Sequence, residues 1–120
     1  PSPPQYAIWK TFDSQEAFIK KILPVFDQRR RTMSSMLNDI EGFSCPLPHG
    51  SFYAFPSFEQ RIQSRDLAKK LVASGVICAP GTAFGEGPRC EGHLRFSYAA
   101  SEKDIKKGLS IVKQVVDKLA

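Results

Sequence analysis

The chain has 120 residues, 42% hydrophobic and 24% charged, with a formal net charge of +5, a composition that fits one globular domain and makes disorder not the default reading. No apolar run approaches the roughly 18 residues of a membrane span, and the opening PSPPQYAIWK has neither the basic start nor the long apolar core of a secretory signal. Cys45, Cys78 and Cys90 form no CxxC pair, so no metal site or disulfide framework is expected, and reduced thiols in the cytoplasm or an organelle matrix are the simplest account.

Residues 1–4 read as an extended lead-in, because proline fixes its own φ and restricts the residue before it. A short helix over residues 6–12 would end near Asp13 and Ser14, and Ser14 would cap the next helix with Glu16 in its first turn. Phe18, Ile22, Phe26, Met33, Met36 and Ile40 then recur at helical spacing, interrupted by Arg29. Such a helix would be about 40 Å long at 1.5 Å per residue, enough to reach beyond a small domain. Pro24 inside it predicts a kink or a break, at a cost of about 3 kcal/mol. Gly42 is expected to stop it as the residue after the C-cap. The helix scatters Arg29, Arg30 and Arg31 around its circumference, so they form no flat phosphate-binding patch, and no nucleic-acid or membrane partner is expected. His49 and His93 stand apart and read as structural.

Residues 43–45 predict a short strand, and HGSFYAF over residues 49–55 a stronger one stopped by Pro56. Ser64 would cap the next helix, with Leu67, Ala68, Leu71 and Val72 on its apolar face and Gly75 as its stop. Residues 76–79 form a continuous apolar run, expected as a strand buried on both faces. A loop punctuated by Gly81, Gly85, Gly87 and Gly92 leads to HLRFSY, where Leu94, Phe96 and Tyr98 alternate with His93, Arg95 and Ser97. Ser101 and Asp104 have capping-box spacing, and Ile105, Leu109, Val112, Val116 and Leu119 form one helical stripe.

The order α, α, β, β, α, β, β, α predicts an α/β two-layer sandwich. Its small mixed sheet of about four strands would carry helices on one face and follow a long helix. Residues 1–41 would be lead-in and helix, and residues 42–120 the α/β core. Burial of Leu94, Phe96 and Tyr98 leaves Arg95 on the opposite side of its strand. A guanidinium there offers a rigid fork of donors that matches a carboxylate, although spacing alone slightly favours an arginine on a wet sheet face. The glycine spacing is neither GxGxxG nor a P-loop, so as a phosphate cradle it is a weak signal.

Three blocks in order, GSFYAFP at 50–56, SGVICAPGTAFGEG at 74–87 and GHLRFSYAAS at 92–101, resemble the C-terminal small domain of pyridoxal-phosphate-dependent class I/II aminotransferases. The resemblance spans essentially the whole chain. It implies that Arg95 corresponds to the arginine that binds the substrate α-carboxylate, and that the loop at Phe84 and Gly85 borders the same site. It also implies that the helix over residues 14–40 links the small domain to a large one, where Pro24 is an unusual residue.

The family's Schiff-base lysine, its pyridinium-pairing aspartate and its cofactor-phosphate residues belong to that large domain. No lysine here has the serine- and glycine-rich context of the first. The resemblance therefore implies no catalytic residue in these 120, an inactive fragment, and a homodimeric parent. That parent would exchange an amino group between an amino acid, of aspartate or aromatic type, and a 2-oxo acid. The absence of an initiator methionine fits a processed or excised piece. Two other readings stay open: a free-standing module that holds amino acids or small carboxylates through Arg95, and a pyridoxal-phosphate-dependent lyase or synthase of the same fold type.

Overall fold

The computed structural model describes residues 1–59 and 61–119. Helix α1 (Ser2–Thr11) passes through one 3-10 turn, Phe12–Ser14, directly into α2 (Gln15–Asn38). The expected extended lead-in is instead the first turn of α1, which holds the early prolines. The first N–H groups of a helix have no intrahelical acceptor, so proline loses nothing there. Ser14 keeps right-handed helical dihedrals and makes no cap; its hydroxyl donates back to the Thr11 carbonyl at 3.0 Å. Helix α2 runs through Pro24 without a break. Lys20, whose carbonyl loses its donor, and Pro24 are both exposed, so water can satisfy the freed acceptor.

The buried residues of α2 are Met33, Ser34 and Leu37 in its second half, with Phe26 packed against the core from mid-helix. The expected stripe omitted Leu37, although it is completely buried. The C-cap is Asp39, and Gly42 lies beyond it at φ +77°, in a turn closed by the Phe43 N–H on the Ile40 carbonyl at 3.0 Å.

Two small sheets follow. Strand β1 (Phe43–Ser44) pairs with β3 (Ser57–Phe58), while β5 (Leu94–Ser97) lies between β2 (Tyr53–Ala54) and β4 (Ala79–Pro80). A bridge between Ser57 and His93 joins the two sheets. Every described pairing is antiparallel, where a mixed sheet was expected: the glycine-punctuated loop after β4 reverses the chain into β5, and the strands on either side of α3, β3 and β4, do not pair, so no helical crossover links parallel neighbours. The strand expected over residues 49–55 shrinks to two residues because Ser51, at φ +69°, turns the chain before it. Pro56 does not end the pairing. It is buried, and its carbonyl accepts the Leu94 N–H at 3.2 Å, which leaves β3 to form after it. The run at 76–79 is not a strand buried on both faces: Val76 is buried and Ile77 is 87% exposed, and strand pairing begins only at Ala79.

Helix α3 (Ser64–Ala73) starts one residue earlier than expected, with Ser64 as its first residue and Gln63 at the N-cap. It ends in a Schellman arrangement, with Gly75 N–H on the Val72 carbonyl, Val76 N–H on the Leu71 carbonyl and Gly75 at φ +90°. Val72, expected on its apolar face, is exposed. Helix α4 (Glu102–Asp117) starts as expected: Ser101 Oγ accepts the Asp104 N–H at 3.1 Å and donates to the Asp104 carboxylate at 2.6 Å.

Leu94, Phe96 and Tyr98 of the β5 segment share one core with Leu37, with Leu67 and Leu71 of α3, and with Ile105, Leu109, Val112 and Val116 of α4. Leu119 lies past the end of α4 and is partly exposed. Tyr98 is 1% exposed, and its hydroxyl is satisfied by donating to the Ser51 carbonyl at 3.0 Å. The helices α2 and α4 pack on each other and α3 packs on β4, so the face of β5 that carries Arg95 points away from this core.

Candidate functional site

Strand alternation sets the site. With Leu94 and Phe96 buried, Arg95 projects from the other face of the central strand. Its direct neighbour on β4 is Ala79, which is small, and Tyr53 on β2 pairs with Ser97, one step diagonally away. The Arg95 guanidinium carbon lies 4.1 Å from the Tyr53 ring centroid and 4.4 Å from that of Phe84. Two rings thus engage the guanidinium. Its N–H donors make no ion pair and no hydrogen bond among the described residues. Stacking uses the π face of a guanidinium and leaves its donor edge for an anion.

Phe84 reaches this position from the glycine loop, residues 81–92. A 3-10 turn, Gly81–Ala83, starts the loop, and the Phe84 N–H donates to the Gly81 carbonyl at 2.9 Å. Gly81 is the neck: its N–H donates to the His93 carbonyl at 2.8 Å, and a Cβ there would stand 2.0 Å from the Cys90 carbonyl oxygen. Gly85, beside Phe84, leaves room for the Cys90 thiol, whose Sγ would be 2.8 Å from an added Cβ. Phe84 remains 50% exposed, a ring presented to whatever occupies the site.

Other side chains complete this surface. His93 stacks on Phe55 with centroids 5.1 Å apart and rings 14° from parallel, and Phe55 meets Phe84 edge-on at 6.1 Å. His93 Nδ1 lies 3.2 Å from the Glu91 carbonyl. The Glu91 carboxylate accepts the Ser64 N–H at the start of α3 and the Gly92 N–H at 3.3 Å. Those bonds, the Ser64 backbone first, hold its carboxyl below the usual carboxylate range.

Arg95, Phe84 and Gly85, singled out in the sequence, therefore lie in one neighbourhood. Tyr53, Phe55, His93 and Glu91 were not singled out as site residues. Alternation from Arg95 already places His93 on its face, whereas Tyr53 required the register of β2 against β5.

The remaining polar clusters are engaged elsewhere. Arg30 and Arg31 both hold Asp27, whose carboxyl is lowered by Arg31 first and Arg30 second; Arg30 also donates to the Pro48 carbonyl at 2.6 Å, and Arg29 lies over the Phe26 ring. Burial pushes the Cys78 thiol up to about 11 and raises that of Cys45, so neither is a thiolate at neutral pH. Among the described residues no group of three potential ligands could hold a metal ion, and no helix is long and apolar enough to cross a membrane. Tyr6, Ile8, Trp9 and Phe12, followed by Phe18 and Leu23 on α2, are exposed, and α1 has no buried residue.

The family description "Aminotransferase class I and II" matches residues 1–112. The chain is 34% identical over 113 residues to a probable aspartate aminotransferase of Methanocaldococcus jannaschii, covering 94% of this chain and 29% of that protein. It is 33% identical over 109 residues to an aspartate aminotransferase of Streptomyces avermitilis, covering 82% of this chain and 26% of that one. Among solved structures, the aspartate aminotransferase of Rhizobium meliloti superposes with a TM-score of 0.75 at 30% identity, over 86% of this chain and 28% of that one. The chain thus spans less than a third of the length of these relatives.

Proposed function

The chain belongs to the class I and II aminotransferases, and on that premise we propose that it serves as the small domain of a pyridoxal-phosphate-dependent transaminase, with Arg95 binding the substrate α-carboxylate. The observation that carries the reading is the guanidinium engaged by Tyr53 and Phe84, with its donors unengaged by any other described residue. Two parallel N–H···O bonds from that edge would fix both oxygens of a carboxylate. The flanking rings limit the rotamers of the arginine before the ligand arrives, which lowers the entropy cost of binding. A carboxylate held this way sets where the α-carbon lies, which is orientation and not proton transfer. The exposed ring of Phe84, with Gly85 beside it, would border the bound substrate and help exclude water.

Pyridoxal phosphate supplies the electron sink for reaction at the α-carbon. The residues of this chain do not fit as its seat: every lysine is exposed and lies on a helix or a helix end, and none is on β5 or in the loop 81–92. We assign the Schiff-base lysine, the cofactor grip and the proton shuttle to a large domain outside these residues, and the 120-residue chain alone to an inactive state. The exposed apolar face of α1 and α2 is the surface we assign to that domain. The parent would be a homodimer in the cytoplasm or an organelle matrix. The names of the relatives favour an aspartate-type amino acid and a 2-oxo acid as substrates. A lyase or synthase of the same fold type would use the same arginine.

Calorimetric titration of the chain with L-aspartate and 2-oxoglutarate tests the arginine. Charge-assisted hydrogen bonds of about 1.5–3 kcal/mol correspond to about a 10- to 100-fold loss of affinity in Arg95→Ala. Arg95→Lys should fall between the two, because a point charge replaces the fork. Equal affinity in wild type and Arg95→Ala, at equal thermal stability, would reject the assignment. An aldimine absorbance band on adding pyridoxal phosphate to the chain would reject the division of labour.

A further inference from the structure

We infer that Glu91 is a positioning residue for the Arg95 site: by capping α3 from within the glycine loop, its carboxylate holds the loop that lays Phe84 over the guanidinium. The inference rests on the reading of Arg95 as a carboxylate site.

Helix α3 lacks a cap of its own. Gln63 at the N-cap has extended dihedrals, φ −68° and ψ 145°, yet its side chain makes no capping bond. The first N–H of the helix, from Ser64, donates to Glu91 Oε1, 27 residues further along the chain. An acidic group at that end is favoured by the helix dipole as well as by the hydrogen bond. The carboxyl is held below the usual carboxylate range, first by this Ser64 bond, so it remains ionised at neutral pH.

Anchoring a loop to α3 is effective because α3 is itself fixed, with Leu67 and Leu71 completely buried. The loop has a neck, where the Gly81 N–H meets the His93 carbonyl at 2.8 Å. Its far side folds on itself, with the Cys90 and Glu91 N–H groups both on the Gly87 carbonyl at 3.0 Å. Neither feature ties the far side to the body of the domain. The Gly92 carbonyl ties it to β3 by accepting the Phe58 N–H at 2.8 Å, and Glu91 ties it to α3, where Ser64 Oγ also lies 3.5 Å from Thr82 Oγ1. From Glu91 the contacts run to the cation: its carbonyl meets His93 Nδ1, His93 stacks on Phe55, Phe55 meets Phe84 edge-on, and Phe84 lies over Arg95.

The test reads the ring-current displacement of the Arg95 side-chain NMR signals in the full 120-residue chain, without ligand. Phe84→Ala defines the displacement that Phe84 causes. Glu91→Ala should lose that same part, whereas Glu91→Gln, which keeps an acceptor oxygen, should retain most of it. Ser64→Pro removes the donor at a helix position that tolerates proline and should reproduce the loss. Methyl signals of Leu94 and Val112 report the core, and they should stay in place in all variants. In a succinate titration, Glu91→Ala should bind about threefold more weakly, the share expected from one cation–π contact.

An unchanged Arg95 signal in Glu91→Ala or Ser64→Pro, with the core intact, would overturn the inference. So would loss of the core signals in both, because the bond would then be a condition of folding. A wild-type chain with displaced Arg95 signals and no succinate binding would instead defeat the carboxylate reading, so the two failures are distinguishable.

Discussion

Gly81→Ala probes the neck on which the site depends. A Cβ at this position would lie 2.0 Å from the Cys90 carbonyl oxygen and 2.9 Å from His93 Cβ, so relief requires movement of more than an ångström. The obstacle is main chain, which cannot rotate aside as a side-chain tip would. Gly81 cannot retreat either, because its N–H is committed to the His93 carbonyl and its carbonyl to the Phe84 N–H. Overpacking costs about 1–3 kcal/mol, and loss of the Gly81–His93 hydrogen bond adds about 1 kcal/mol. The expected destabilisation is therefore about 2–4 kcal/mol. In a domain of this size that lowers Tm by about 8–16 °C.

Gly108→Ala is the internal comparison. Gly108 lies within α4, and an added Cβ meets nothing within 4 Å, so removing the backbone freedom of glycine should raise stability by about 0.5–1 kcal/mol. Differential scanning calorimetry of both variants, with urea unfolding as a second measure, reads the contrast. A Gly81→Ala variant within 0.5 kcal/mol of wild type would refute the geometry of the neck, and with it the route by which Phe84 is presented.

Ser101→Ala removes the acceptor of the Asp104 N–H at the start of α4 and should cost about 1 kcal/mol in urea unfolding; an unchanged midpoint would count against the capping box. Acid should destabilise the fold through Glu91 and Asp27. Both carboxyls are depressed when folded, from ordinary values of 4.5 and 3.8, Glu91 by the Ser64 backbone first and Asp27 by Arg31 first. Their stabilisation is fully present above the unfolded values and is lost as pH falls through the folded ones. The urea midpoint should therefore be level from about pH 7 to pH 5 and fall below about pH 4.5. Glu91→Gln should flatten part of that fall; a profile that declines mainly above pH 6 would contradict the assignment.

The parts legible in the sequence are those in which each residue signals its own local role. Ser101 and Asp104 cap α4, Gly75 ends α3 at positive φ, and the alternation of Leu94, Phe96 and Tyr98 sends Arg95 to the far face. The early prolines, Pro56 and a strand length were misread for the same kind of reason. The early prolines sit in a helix turn that needs no N–H there, and Pro56 pairs through its own carbonyl. In each case the neighbours settled what proline could do, and a single chain position does not display its neighbours.

The sequence by itself determined that an arginine would stand on a strand beside a glycine-rich loop, opposite a buried face, because period-two alternation and glycine spacing are local properties. Only the tertiary structure decided what surrounds that arginine. Tyr53 lies 42 positions before it in the chain and reaches it through the β2–β5 register, and Glu91 meets α3 across 27 positions. Contacts of that range depend on how separate segments pack, which no local pattern in the chain encodes.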